Sequence, residues 1–188
     1  MSANDKIDMN IFQVVTKAIA ESDNLGIMAD HLTHLLVGAL EIKACTIFAL
    51  NLDAEELEVL ATFGLSTDYT NKGPLLADKS IGCTLRGEPI LIKDVSDTDR
   101  LQYPEEAKKE GIGGIVSLPI LFYGESIGVL RLYHHEVWDI SDRDVKSLLI
   151  LGENIGLAMM YTRLVNALQS IHETMTTLPS DLVPLFRK

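Results

Sequence analysis

The sequence predicts an α+β domain: an antiparallel sheet with helices on one face. Three observations carry this. Two stretches, 43–64 and 115–135, each read as a pair of apolar strands around a short turn. Helical periodicity opens the chain and closes it, while the middle is turn-rich. Adjacent hairpins pair antiparallel, and helices confined to the flanks of such a sheet cover one face.

The elements follow in order. Residues 8–20 place Ile11, Phe12, Val15 and Ile19 on one helical face. A second helix over 25–40 has Met28, Leu32, Leu35, Leu36 and Ala39 as its stripe. His31 and His34 are spaced to meet on that helix. They lie off the stripe with no third ligand near, so no metal is assigned. The period then changes to the alternation of "KACTIFALNL" and "LEVLATFG", with "DAEE" between them as the turn. Residues 65–80 read as a polar loop or short irregular helix, and "IGCTLRGEP" as a helical turn closed by Gly87. "PILIKDV" is a strand with Pro89 at its first position, where a missing donor is tolerated. The excursion that follows contains a short helix over 104–110, opened by Pro104 and stopped by Gly111. "IVSLPILFYGESIGVLRLYHH" is the clearest hairpin, turning at Gly124. Ser141, with Asp144 three residues on, reads as a helix cap. The helix it opens runs to about Met175, before Pro179.

Composition narrows the function. Hydrophobic residues are 47% and charged residues 23% of the 188, as in a soluble globular chain. With 27 acidic against 16 basic residues and a net charge of −11, a nucleic-acid face and an anionic membrane surface are both disfavoured. Cys45 and Cys83 lack C-x-x-C spacing and are expected to be reduced and structural. The start of the chain does not read as a signal peptide, and no uninterrupted apolar run approaches a membrane span of ~20 residues. The expected compartment is the cytoplasm.

"GCTLRGEPILIKDVSDTDR", "AKKEGIGGIVSLPILFYGESIGVLRLY" and "ISDRDVKSLLILGENIGLAM" together resemble a GAF domain over about residues 20–165. The shared habits are the "G-x-P-x-x-I-x-D-V" strand, a Gly before "S-x-P-I", a "G-x-x-I-G-V-L" hairpin and an "I-S-x-x-D" lead into the last helix. The resemblance implies a six-stranded antiparallel sheet with terminal helices on one face. On the other face, loops and short helices would roof a small-molecule pocket. It divides the chain into an N-terminal helix (1–20), the GAF-like sensory domain (21–165) and a helical extension with a tail (166–188). It also implies a regulatory module that binds a small molecule, dimerises and signals to a partner protein through its helices. The alternatives are a ligand-free dimerisation scaffold and a redox enzyme of the free-methionine-sulfoxide-reductase type. For the latter, the excursion after Asp94 lacks a cysteine, and Gly113-Gly114 stand where carboxylates are expected. No catalytic residue, metal or cofactor is assigned.

The pocket implied by the resemblance has "DVSDTDR" and "YPEEAKKEG" as its roof and "IVSLP" as part of its floor. The candidate ligand residues are therefore Asp94, Ser96, Asp97, Arg100, Tyr103 and Ser117. Arg100 would hold an anion, Tyr103 would stack, and Ser117 is a polar interruption in an apolar strand. Strand alternation puts His134 and His135 on opposite faces, against a two-histidine metal site. GAF domains resembling those of cyclic-nucleotide phosphodiesterases carry Asn-Lys where these histidines stand, and of their signature only Asp144 matches. Asn71-Lys72 lies elsewhere in the chain and is read as a loop coincidence. Finally, Leu157, Tyr161, Leu164, Leu168, Ile171, Met175 and Leu178 follow alternating spacings of four and three. Such an a/d seam predicts a parallel homodimer or a partner helix.

Overall fold

The computed structural model describes residues 7–22, 24–51, 56–73, 75–76, 84, 86–96 and 101–177. β-branched and aromatic residues at alternate positions favour extended chain, and six segments adopt it. They are β1 (Ala44–Asn51), β2 (Glu56–Phe63), β3 (Leu75–Leu76), β4 (Ile90–Ile92), β5 (Gly114–Phe122) and β6 (Glu125–His134). The described pairings are antiparallel, in the order β3-β2-β1-β6-β5-β4. The helices are α1 (Met9–Ala20), α2 (Leu25–Leu40), α3 (Thr67–Thr70), α4 (Pro104–Lys109) and α5 (Asp142–Thr177). The fold is thus α+β with the six-stranded antiparallel sheet that the sequence led us to expect.

Alternation divides the sheet into two faces. Cys45, Ile47, Ala61, Val116, Leu118, Ile120, Leu130 and Leu132 join buried residues of α1, α2 and α5 in the main core. Ala44, Ile92, Ile115 and Tyr133 point the other way and meet Tyr69 of α3 and Ala107 of α4. Phe48, Leu57 and Val129 form a third cluster on that second face. The long helices therefore cover one face, and the short helices with their loops cover the other.

The caps behave as the residue types dictate. Asp8 and Asn24 accept from the first free N–H groups of α1 and α2. Ser141 Oγ accepts from Asp144 N–H at 3.0 Å, so Ser141 is the N-cap of α5. Asp144 does more than a cap requires: its Oδ1 accepts from Ile7 N–H at 3.0 Å in a buried bond across 137 residues. The start of the described chain is thereby held to the first turn of α5.

Helix α5 changes character along its length. Val145, Leu148, Leu151, Ile155, Ala158, Met159 and Thr162 are buried. Beyond Thr162 the described side chains are exposed, apart from the half-buried Val165. Gly152 and Gly156 let the buried part lie close on β5. A Cβ on Gly152 would come 2.7 Å from Pro119 O, and one on Gly156 would overlap Leu121 O. By length and composition, Asp142–Thr176 could cross a membrane, but 44% of its apolar window is buried inside the fold. The apolarity serves the core on one side.

Candidate functional site

A cavity of about 280 Å³ opens on the face away from the long helices. Its floor is Thr46 and Phe48 of β1, Leu57, Val59 and Thr62 of β2, and Tyr133 of β6. Its roof is the segment from Leu65 through α3 to Gly73, with Thr70, Asn71 and Lys72 facing the space. The roof is pinned by one carboxylate. Glu110, just past α4, accepts from the backbone N–H of Ser66 at 3.0 Å and from its hydroxyl, and lies 3.6 Å from Lys43 Nζ. Burial works against the Glu110 charge, but the Ser66 hydrogen bonds and the Lys43 ammonium prevail and hold its carboxyl below the usual range. This contact is present at neutral pH and is lost as pH falls through that lowered value.

The floor carries a polar row through an otherwise apolar sheet. Thr62, Thr46, Arg131 and Ser117 are register partners across β2, β1, β6 and β5, so their side chains share one face. Thr46 and Thr62 exchange a 2.8 Å hydroxyl hydrogen bond. Arg131 is 2% exposed, and its guanidinium carbon lies 6.0 Å from the centre of the Tyr133 ring. Ser117 is fully buried, and its hydroxyl has no hydrogen-bond partner among the described residues.

Above this row sits Lys72. Its ammonium donates to Tyr69 O at 2.8 Å and lies 3.7 Å over the centre of the Tyr69 ring, a cation–π distance. The Tyr103 ring is 5.8 Å away. Tyr69 in turn meets Tyr133 edge-on at 6.1 Å. Desolvation, and then the positive charge of Arg131, bring the Lys72 pKa down to about 8. Burial pushes the phenols of Tyr69 and Tyr133 up, so both act as hydrogen-bonding neutral groups.

The six residues singled out from sequence fare unevenly. Asp97 and Arg100 lie outside the described residues. Asp94 Oδ1 accepts from Ser96 N–H at 2.8 Å in a local turn. None of the described four lines this cavity. Tyr103 stands against it, because a Cβ on Gly73 would come 2.6 Å from its hydroxyl. Ser117 belongs to the same floor, one strand beyond Arg131. Asn71 and Lys72, read from sequence as a coincidence of the loop, are cavity residues. Arg131 was missed, although its signal matched that of Ser117: a polar residue inside the apolar run "VLRLY".

The histidine expectation also needs correction. His134 does point to the helix face with Leu130 and Leu132. The strand ends there, however, and alternation does not continue to His135. The two rings stack at 4.5 Å, with Trp138 5.2 Å from His134. Glu136 N–H donates to His134 Nδ1 at 3.0 Å. The pair works as a stacked closure of the strand end. Among the described residues, no group of three His, Cys, Asp or Glu side chains could hold a metal.

Residues 22–160 match the family model described as GAF domain. The chain belongs to the GAF domain family. Solved structures agree in fold. The GAF domain of a phosphoenolpyruvate-protein phosphotransferase (ptsP) from Coxiella burnetii aligns with a TM-score of 0.73 at 21% identity, covering 85% of this chain and 98% of that one. Free methionine-R-sulfoxide reductase from Neisseria meningitidis aligns at 0.70 with 15% identity, covering 88% and 96%. Residues 122 to 287 of a methyl-accepting chemotaxis protein align at 0.66 with 21% identity, covering 82% and 99%. Comparison with curated proteins gave no match. GAF domains are in general signalling and ligand-sensing modules, and most are regulatory.

One relative in fold is nonetheless a reductase; of the two cysteines here, Cys83 lies outside the described residues. In this GAF domain Cys45 is a free, fully buried thiol on the helix-covered face, and burial pushes its pKa far up. It is neither in the cavity nor able to form a thiolate at neutral pH. Iodoacetamide is expected to leave Cys45 unmodified in native protein and to alkylate it in urea. Peptide mapping that found Cys45 labelled without denaturant would contradict its burial.

Proposed function

We propose that this GAF domain is a sensor. It binds a small molecule in the cavity over β1, β2 and β6, and passes binding to a partner signalling protein through paired α5 helices. The observation that carries the reading is the cavity itself: Thr46, Thr70, Asn71 and Lys72 face an enclosure walled by Phe48, Leu57 and Val59. A few polar groups converging in an apolar cleft suit a ligand of modest size. A scaffold that only dimerises has no use for such a space.

The output rests on α5. Leu157, Tyr161, Leu164, Leu168, Ile171 and Met175 are between 56% and 67% exposed on the single chain. A helix of about 15 residues standing alone in water is marginal, so the part beyond Thr162 calls for a partner. The positions flanking the seam, Met160, Val165, Ala167, His172 and Thr174, set no like-charged carboxylates or ammonium groups against each other in a parallel pair. A second copy of the chain fits these requirements.

Native mass spectrometry of freshly purified protein tests both parts at once. The expected spectrum is a dimer carrying a small molecule that is released on collisional activation. A ligand-free dimer whose cavity binds nothing from a metabolite extract would favour the scaffold.

A further inference from the structure

Lys72 and Arg131 each stand against one ring of the same aromatic pair. Lys72 reaches from the roof over Tyr69, and Arg131 rises from the floor beside Tyr133. Lys72 lines the cavity, and among the described residues no carboxylate lies within ion-pair distance of its ammonium. Its polar contact there is a backbone carbonyl, which leaves N–H donors for another acceptor. The other polar groups lining the space are the Thr46, Thr62, Thr70 and Tyr133 hydroxyls and the Asn71 amide. None is a carboxylic acid. The Thr70 hydroxyl already donates to the Ser66 and Thr67 carbonyls, and those of Thr46 and Thr62 are engaged with each other. The Asn71 amide and the Tyr133 phenol are therefore the further donors beside Lys72. The apolar lining is Phe48, Leu57 and Val59 of the floor and Leu65 of the roof.

We propose that the cavity is an oxyanion site: it takes a small molecule whose carboxylate or phosphate group is bound by Lys72 under the field of Arg131, with its apolar body against Phe48, Leu57 and Val59. This inference rests on the sensor reading and specifies its ligand class. A cation already partly desolvated and crowded by a like charge gains most from an incoming anion. Lys72 contacts the ligand, whereas Arg131, covered by the floor, acts through its charge.

The proposal carries a pH signature with a definite sign. The free ammonium, depressed to about 8 by desolvation and Arg131, is pulled back up by a bound anion. Binding of an anion of fixed charge therefore takes up a proton above that pH, and affinity falls as pH rises through it. Among the described residues, the Tyr69 and Tyr103 rings, Arg131, Glu106 and Glu110 are the charged or titratable groups that act on Lys72. The two carboxylates favour its charged form and Arg131 opposes it.

The test uses three probes of nearly one shape: benzoate, phenyl phosphate and the uncharged benzamide. Binding to the full chain is measured by calorimetry, up to about 10 mM. The expected result is that at least one anion binds ten-fold or more tightly than benzamide. Comparing benzoate with phenyl phosphate tells which head group the site prefers. Lys72→Met should weaken that anion by ten-fold or more while Lys72→Arg retains it, and benzoate affinity should decline between pH 7 and 9. Benzamide binding as well as the anions, or Lys72→Met leaving anion affinity unchanged, would overturn the anion assignment and leave the ligand cavity standing. No binding by any probe would count against the cavity and the anion site together.

Discussion

Gly156→Ala is expected to destabilise the protein by about 1–3 kcal/mol, the usual range for overpacking a fitted interior. Helix propensity alone predicts the reverse, because alanine gains up to ~1 kcal/mol over glycine within a helix. The difference is steric. The added methyl group would overlap the Leu121 carbonyl oxygen and come 3.3 Å from Ile120 Cγ2. Gly152, one turn earlier, also lies close over Pro119 O, where a Cβ would come to 2.7 Å, so α5 is held against β5 at two successive turns. Backbone carbonyls of β5 cannot yield as a flexible side chain would. Gly38 provides the control. It lies exposed in α2 with nothing within 4 Å of its would-be Cβ. Gly38→Ala should stabilise by up to ~1 kcal/mol. Urea unfolding of the two variants measures opposite signs for one substitution. A neutral Gly156→Ala would mean that α5 does not sit on β5 as closely as described.

Leu164→Asp combined with Leu168→Asp is expected to convert a dimer into a monomer. Light scattering should fall from twice the 20.7 kDa chain mass to that mass. The proposed dimer would bury four of these leucines, and full burial of one is worth about 1.5–3 kcal/mol. Four desolvated carboxylates in their place cost more than the remaining seam contributes. The variant should keep its core, since both residues stand beyond the part of α5 that touches the sheet. Helical signal at 222 nm should drop modestly as the unsupported turns fray. An unchanged mass would remove the seam from the proposed mechanism and leave the ligand cavity untouched.

Much of the fold was legible because period and turn chemistry agree along the chain. The alternation of "ACTIFALN", the Tyr123-Gly124 turn with both residues at positive φ (53° and 80°), and the Ser141 cap each needed only local rules. The candidate site was harder to read because its residues come from β1, β2, β6 and the α3 loop, and only register brings them together. Lys72 in sequence is a polar residue in a polar loop, and nothing local shows that it folds over Tyr69. Arg131 could have been found by the reasoning that chose Ser117, because both interrupt an apolar strand on the same face. The histidines were misread for a different reason: alternation is a property of the strand, and the strand ends at His134.

The buried bond from Ile7 N–H to Asp144 has a consequence for how the molecule could be mechanically addressed. It ties the lead-in of α1 to the root of α5, 137 positions away along the chain. If α5 is the lever through which the domain speaks, Ile7 stands at its fulcrum. A pull or a steric load applied just ahead of Ile7 would bear on the lever's pivot without passing through the sheet or the cavity. On the proposed mechanism the domain would have two handles on one output shaft, a chemical one at the cavity and a mechanical one at Ile7.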